Sequence, residues 1–171
     1  MKNSFCRSLC FLAILGGSFS DAQTPQNPVQ MAHKTDPLPE RNGRHALIIG
    51  ISQYAASGFA ELPGVTMDVE SATQMALAMQ VPAGNIHNLR NEKATGDGIR
   101  RALAALDARV LEGDRVFIYY SGHGTRYRNA ATRGCVEALL AHEGGESGTI
   151  TNKEMAEMLV TLLNNTLAFK H

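Results

Sequence analysis

The sequence predicts an α/β fold with a largely parallel sheet and helices on both of its faces. Three short runs, 45–51, 85–89 and 115–120, have the length and apolar character of buried strands, the second being the weakest. Segments in which apolar residues recur at helical spacing separate these runs. Strands that alternate with helices favour a parallel sheet built from crossover units.

The first unit pairs a strand at His45–Ile51 with a helix. Thr66 is the predicted N-cap of that helix, and Asp68 and Glu70 in its first turn suit the positive end of the helix dipole. Apolar residues then follow the helical repeat: Val69, Ala72, Ala76 and Met79.

The second unit starts with a strand at 85–89 and continues into a helix that Thr95 caps. One apolar face of the helix is formed by Ile99, Leu103, Leu106 and Val110. Gly113 stands where a glycine that ends a helix is expected, and Arg115–Tyr120 is the third strand.

The remaining elements are shorter. Cys135–Ala141 is a predicted extended segment, and Thr151 with Glu154 forms a capping box. The third helix that follows carries Met155, Met158, Leu159 and Leu162. Thr166–Phe169 begins like a fourth strand, so we expect the sheet to be incomplete at its C-terminal side. The edge left on the third strand predicts self-association.

The first 43 residues precede the folded domain. Residues 1–22 have the pattern of an export signal: Lys2 and Arg7, an apolar run at 9–19, and a small-residue end at Ala22. A membrane anchor is the alternative, but the run is about half of the ~20 residues that span a bilayer. We therefore expect a periplasmic or secreted protein that is free of the membrane after cleavage. Residues 23–43 are a proline-rich linker, and 44–171 form the domain.

Composition argues against several functions. The formal net charge is zero and no run of basic residues occurs, so nothing favours a nucleic-acid partner. The histidines show no H-x-x-x-H spacing and no C-x-x-C is present, so we predict no metal site. Outside the signal, Cys135 is the sole cysteine, which excludes an internal disulfide.

The stretch Ser121-Gly122-His123-Gly124 directly follows the third strand. Ligands of α/β sheets bind at the carboxyl ends of the strands, which makes His123 a candidate functional residue. Glycines on both sides let a substrate approach the backbone and leave amide N–H groups free to donate. The alternative is a surface turn in which the histidine has no role.

Five segments together resemble the large-subunit region of caspase-like cysteine peptidases, in the bacterial and metacaspase branch. In chain order they are HALIIGISQY, LPGVTMDVESA, RVFIYYSGHGT, CVEALLAHE and TITNKEM. The resemblance covers about residues 44–169. It implies a caspase-like three-layer fold and a cysteine endopeptidase that acts on protein or peptide substrates, cleaving after basic residues.

The resemblance also implies roles for single residues. His123 matches the histidine of the Cys-His dyad, and Gly124 matches the residue whose N–H helps to hold the oxyanion. Asp68 and Ser121 match residues that line the primary specificity pocket, where an acid would pair with arginine or lysine of the substrate. An acid that only serves the helix dipole is the alternative for Asp68.

The nucleophile that the family requires is not found. Its cysteine lies in a D-x-C-x-S-G-like stretch about 50 residues after the histidine, and no such stretch follows His123 here. Cys135 comes too soon, and its apolar neighbours predict a buried or edge position with a structural role. We therefore expect no peptidase activity from these 171 residues. Three interpretations stay open: a truncated peptidase, a non-catalytic binding or regulatory module, and a different hydrolase that uses His123.

No cofactor is expected, and calcium dependence is doubtful. Metacaspases that need calcium often carry paired acids in a Thr-Asp-Asp pattern, where this sequence has Thr151-Asn152-Lys153. Lysine does not bind calcium, whose ligands are oxygens.

Overall fold

The computed structural model describes residues 11–13, 43–129, 133–145 and 148–166. Along these residues the strands and α-helices are, in order, β1 (Phe11–Ala13), β2 (Arg44–Gly50), α1 (Val65–Ala78), β3 (Ile86–Arg90), α2 (Gly96–Asp107), β4 (Arg115–Ser121), β5 (Gly124–Arg128), β6 (Cys135–Leu140), β7 (Thr149–Thr151) and α3 (Asn152–Thr166). Within these ranges no helix has the length and apolar content that crossing a membrane requires.

The main sheet confirms the predicted parallel arrangement. Its strand order is β1-β4-β2-β3, and β2 pairs in parallel with both β3 and β4. Gly50 at the end of β2 is level with Arg90 of β3 and Ser121 of β4, so the three carboxyl ends meet at one edge. On the outer side of β4, the short β1 pairs antiparallel.

Helices cover both faces of this sheet, as predicted. Successive residues of a strand point to opposite faces, and β2 supplies apolar side chains to each. Ala46 and Ile48 pack in one cluster with residues of α1 and β4: Val65, Val69, Ala72, Ala76 and Phe117. Leu47 and Ile49 pack in the other, chiefly with α2 and α3: Ile99, Ala102, Leu103, Leu106 and Leu162.

The start of α1 differs from the prediction. Thr66 is not the N-cap, because the helix begins at Val65 after Gly64, which makes no side-chain capping bond. Val65 is buried, and a Cβ at Gly50 would lie 3.1 Å from its Cγ1 and overlap Val69 Cγ2. The close approach of α1 to the end of β2 therefore requires Val65 in the helix and glycine in the strand.

The predictions for α2 have a mixed outcome. Thr95 is its N-cap, since the side-chain Oγ1 accepts a hydrogen bond from the Gly98 N–H at 3.0 Å. Gly113 does not end the helix, which stops at Asp107. It lies in the turn before β4 with φ of +84°, a conformation that favours glycine.

The capping bond predicted for α3 is present, because Thr151 Oγ1 accepts from the Glu154 N–H at 3.1 Å. The Glu154 carboxylate accepts instead from Arg100 of α2, with Nε–Oε1 at 2.6 Å and Nη2–Oε2 at 3.2 Å. Thr166 was predicted to open a fourth strand, but it is the last residue of α3. Residues 167–169, the rest of that predicted strand, lie outside the described residues.

A second, antiparallel sheet joins β5, β6 and β7 in that order. The predicted extended segment Cys135–Ala141 corresponds to its middle strand, β6. This sheet begins at Gly124, directly beyond the carboxyl edge of the main sheet. His123 therefore lies at the junction of the two sheets.

The pair of Arg100 and Glu154 predicts a pH dependence of stability. The hydrogen bonds and charge of Arg100 lower the pKa of Glu154. The pair therefore contributes stability above the ordinary glutamate pKa of about 4.3, and this contribution is lost as the pH falls through the lower folded-state pKa. Urea denaturation should show Glu154→Gln less stable than the wild type at pH 7, with a difference that shrinks below about pH 4.

Glu157→Gln is the matched control for that measurement. Glu157 also pairs with a cation within α3, but at 3.8 Å from Lys153 Nζ and with both side chains mostly exposed. Exposed pairs of this kind contribute little, so its stability difference should be small at every pH. A constant deficit of Glu154→Gln across the pH range would contradict the ion-pair explanation.

Candidate active site

The candidate site lies where β2 and β4 end side by side. Ser121 is the last residue of β4, and its carbonyl accepts a hydrogen bond from the Ile51 N–H at 2.9 Å. Three residues later the chain enters β5 at Gly124. The predicted position of His123, at the carboxyl edge of the parallel sheet, is therefore the observed one.

Ser121 and Asp68 are in direct contact. The Ser121 hydroxyl donates to Asp68 Oδ2 at 2.7 Å, and Ser121 is only 4% exposed. Asp68 lies in the first turn of α1 and is half-buried. For Asp68, a favourable interaction with the helix dipole is therefore compatible with a position in the site.

The imidazole of His123 is held by the loop after β2. Its Nε2 lies 2.8 Å from the carbonyl oxygen of Ala60. A carbonyl can only accept, so Nε2 carries the proton and Nδ1 of the neutral ring is left as the base. The rings of Tyr54 and Phe59 lie beside it, with centroids at 5.0 and 6.1 Å.

Two tyrosine hydroxyls satisfy the backbone around His123. The His123 N–H donates to the Tyr54 hydroxyl at 2.6 Å. The Tyr120 hydroxyl lies 2.8 Å from the carbonyl oxygens of His123 and Leu140, to one of which it donates at a time. Burial raises the pKa of Tyr54, and burial and the neighbouring Tyr54 raise that of Tyr120 well above its usual value. Both phenols therefore stay protonated near neutral pH.

Gly122 has an internal reason to be glycine. A Cβ there would lie 2.6 Å from the Tyr120 hydroxyl and 2.8 Å from the Tyr54 hydroxyl. The sequence interpretation assigned this glycine to substrate approach, but its backbone is covered by the two tyrosines.

Gly124 is placed differently. It is opposite Leu139 in the β5–β6 ladder, while the next bond runs from the Leu140 N–H to the His123 carbonyl at 3.0 Å. Antiparallel pairs alternate between bonded and non-bonded, so the N–H of Gly124 points away from β6. Because β5 is an edge strand, that N–H is directed out of the sheet, as a donor to an oxyanion requires.

Cys135 is far from this arrangement. It pairs with Arg128 at the opposite end of the ladder from Gly124, roughly 13 Å away at the usual rise of a strand. The prediction of a buried or edge position was wrong in its burial, since Cys135 is exposed at the start of the middle strand. Its rejection as the partner of His123 agrees with this geometry.

The described residues contain no group of three or more His, Cys, Asp or Glu side chains arranged to hold a metal ion. In the stretch discussed for calcium, Thr151 caps α3 and the Asn152 side chain accepts from the Lys153 N–H at 2.8 Å. The expectation that the protein does not depend on calcium stays a prediction.

Sequence reasoning assigned no role to four residues that surround His123: Tyr54, Phe59, Ala60 and Tyr120. A usable signal existed for Tyr54, because it follows the carboxyl end of β2 just as His123 follows β4. Ala60 acts through its backbone carbonyl, which leaves no trace in the residue type.

The two glycines beside His123 give a matched pair of variants. Gly122→Ala forces a methyl group against the hydroxyls of Tyr54 and Tyr120 and should lower the free energy of unfolding by about 1–3 kcal/mol. Gly124→Ala should leave it nearly unchanged or slightly raised, since a Cβ there meets only the Ala138 carbonyl oxygen at 3.8 Å. Urea denaturation measures the free energy of unfolding of both variants, and an equal loss of stability in the two would contradict the steric reason given for Gly122.

Comparisons with known proteins relate the chain to one family. The family "Metacaspase, peptidase C14 domain" matches residues 44–170. Metacaspase-2 of Trypanosoma brucei brucei is 30% identical over 137 residues, which cover 74% of this chain and 39% of the relative. Metacaspase-3 of Trypanosoma cruzi (strain CL Brener) is 35% identical over 91 residues, 48% of this chain and 25% of the relative.

A solved structure agrees in fold. The crystal structure of a protein from Geobacter sulfurreducens superposes with a TM-score of 0.60 at 20% identity, covering 70% of this chain and 45% of that one. At this identity the match concerns the fold alone. The chain thus spans well under half the length of the metacaspases that it matches.

Proposed function

The chain belongs to the metacaspase family of C14 peptidases, and from this premise we propose that it forms the histidine half of a cysteine endopeptidase site that binds a basic residue of a protein substrate. The observation that carries the proposal is the contact between Ser121 and Asp68 at 2.7 Å, two residues before His123. It places a carboxylate at the sheet edge where the histidine lies.

The carboxylate of Asp68 suits a guanidinium or ammonium group. Ser121 donates to Oδ2 only, whereas an ionised carboxylate has about four lone-pair sites. The half-buried position lowers competition from water, which strengthens a charge-assisted hydrogen bond. Arginine, with its fork of N–H donors, is the substrate residue that fits best.

His123 supplies the proton transfer in this proposal. With the proton on Nε2 fixed by Ala60, Nδ1 accepts the proton of an approaching thiol, and the thiolate attacks the substrate carbonyl. The resulting imidazolium returns a proton to the leaving amine as the acyl–thioester forms. The N–H of Gly124 donates to the oxyanion of the tetrahedral intermediate.

We further propose that these 171 residues do not hydrolyse peptides by themselves. Cys135 is the one cysteine among the described residues, and it lies at the far end of the hairpin from His123. A dyad requires hydrogen-bond reach between thiol and imidazole. The same geometry favours the second candidate function, a non-catalytic module that binds basic peptides through Asp68.

Export and self-association are also proposed. Lys2, Arg7 and the apolar run that follows support export. The outer edge of β4 is paired with β1, at residues 11–13. Cleavage after Ala22 would remove β1 and open that edge, which supports self-association of the mature protein.

Binding of a basic peptide tests the role of Asp68. A fluorescein-labelled peptide that ends in arginine should bind the wild-type chain, and Asp68→Asn should weaken binding about 10- to 100-fold, because a charge-assisted hydrogen bond contributes about 1.5–3 kcal/mol. Asparagine still accepts from Ser121, so the fold is preserved. Fluorescence polarisation gives both dissociation constants.

Glu70→Gln is the control for Asp68→Asn. It removes the same charge from the same helix, but Glu70 is exposed and lies outside the contact with Ser121. Equal weakening by both variants would show general charge attraction and overturn the pocket. Hydrolysis that disappears in Cys135→Ala would instead overturn the assignment of Cys135.

A further inference from the structure

The turn after β6, at residues 142–144, contacts the loop that holds His123. The Ala55 N–H donates to the His142 carbonyl at 2.8 Å, and His142 Nδ1 lies 2.8 Å from the Gln53 carbonyl oxygen. Since a carbonyl only accepts, Nδ1 of His142 carries a proton. The His142 N–H in turn donates to Ala94 at 3.0 Å, just before α2. His142 therefore ties this loop to the body of the domain.

The loop in question is Ser52–Leu62, closed by a bond from the Leu62 N–H to the Ser52 carbonyl at 2.9 Å. Its first residue is anchored independently, because Asn91 Oδ1 accepts from the Ser52 N–H at 2.9 Å. Beyond that anchor come Tyr54 and Ala60, which bond to the backbone and the ring of His123. Any displacement of this part of the loop therefore moves the partners of His123.

Gly144 packs against the same loop. Its φ is +68°, and a Cβ there would lie 2.8 Å from the Ala56 Cβ and 2.9 Å from Phe59 Cε2. Phe59 lies beside the imidazole of His123. The turn thus packs so closely against the loop that a methyl group at 144 would displace the Phe59 ring from its position beside His123.

We propose that His142 and Gly144 are positioning residues for His123, acting through the loop Ser52–Leu62. Neither touches the imidazole in the contacts described above. They fix the loop so that the Ala60 carbonyl keeps the proton of His123 on Nε2 and leaves Nδ1 as the base. The inference rests on the proposed function of His123, but the state of its imidazole can be measured without substrate.

Four variants of the full chain separate positioning from general stability. His142→Leu removes the donor to Gln53, whereas His142→Asn restores it, because Asn Nδ2 occupies the place of His Nδ1. Gly144→Ala and Gly145→Ala bear the same backbone strain, since both glycines have φ of +68°, but a Cβ at 145 has nothing within 4 Å. Gly145→Ala is therefore the control for Gly144→Ala.

Nitrogen NMR of the His123 ring and hydrogen exchange of its amide are the readouts. His142→Leu and Gly144→Ala should shift the ring from one tautomer, protonated at Nε2, to a mixture, and should speed exchange of the His123 amide roughly tenfold. His142→Asn and Gly145→Ala should keep the wild-type tautomer and exchange rate. A single wild-type tautomer in all four variants would overturn the proposal, as would equal disturbance by Gly144→Ala and Gly145→Ala.

A measurement on the wild type covers the case in which the disruptive variants do not fold. If the turn and the loop form one unit, the amides of Ala55 and His123 open together and exchange with the same free energy. Clearly different exchange free energies for these two amides would overturn the proposal. Peptide binding enters none of these readouts, so a failure here is distinct from a failure of the proposed function.

Discussion

The hydrogen bond from the His123 N–H to the Tyr54 hydroxyl is the interaction on which the rest of the site depends. At Ser121 the chain leaves the parallel ladder with β2, and at Gly124 it enters the ladder with β6. A half-buried N–H between two ladders needs an acceptor that neither sheet supplies. Tyr54 provides it at 2.6 Å and thereby fixes where the chain turns.

Several neighbouring features follow from that constraint. Two phenol hydroxyls above the turn leave no room for a side chain, so position 122 is glycine. Tyr54 must be held in place, and the loop that carries it also brings the Ala60 carbonyl to His123. The strands β2 and β4 end level with each other, and α1 follows β2. The first turn of α1 therefore lies at the same edge, where Asp68 contacts Ser121. All of these contacts thus lie at the carboxyl edge of the main sheet.

The sequence predicted the elements whose signal is local and periodic. The strands at β2 and β4 and the cap at Thr95 were confirmed. The helix ends predicted at Thr66 and Gly113 were wrong, because packing set where these helices start and end and residue type alone does not reveal it. The burial of Cys135 was wrong because the antiparallel sheet that holds it depends on pairings between distant segments. Two partners of His123 were missed for different reasons. Ala60 acts through its backbone carbonyl, which the residue type does not reveal, and Tyr54 lies in a loop that has no periodic pattern.

The central claim, that Tyr54 satisfies the backbone of His123 and so sets the site, is tested most directly by Tyr54→Phe. This variant keeps the ring and removes the hydroxyl, which leaves the His123 N–H unsatisfied and also removes the hydrogen bond between the hydroxyls of Tyr54 and Tyr120. Urea denaturation should show a loss of about 1–3 kcal/mol in the free energy of unfolding, whereas Tyr127→Phe, at another half-buried tyrosine, should lose less. Wild-type stability of Tyr54→Phe, with an unchanged exchange rate of the His123 amide, would contradict the account.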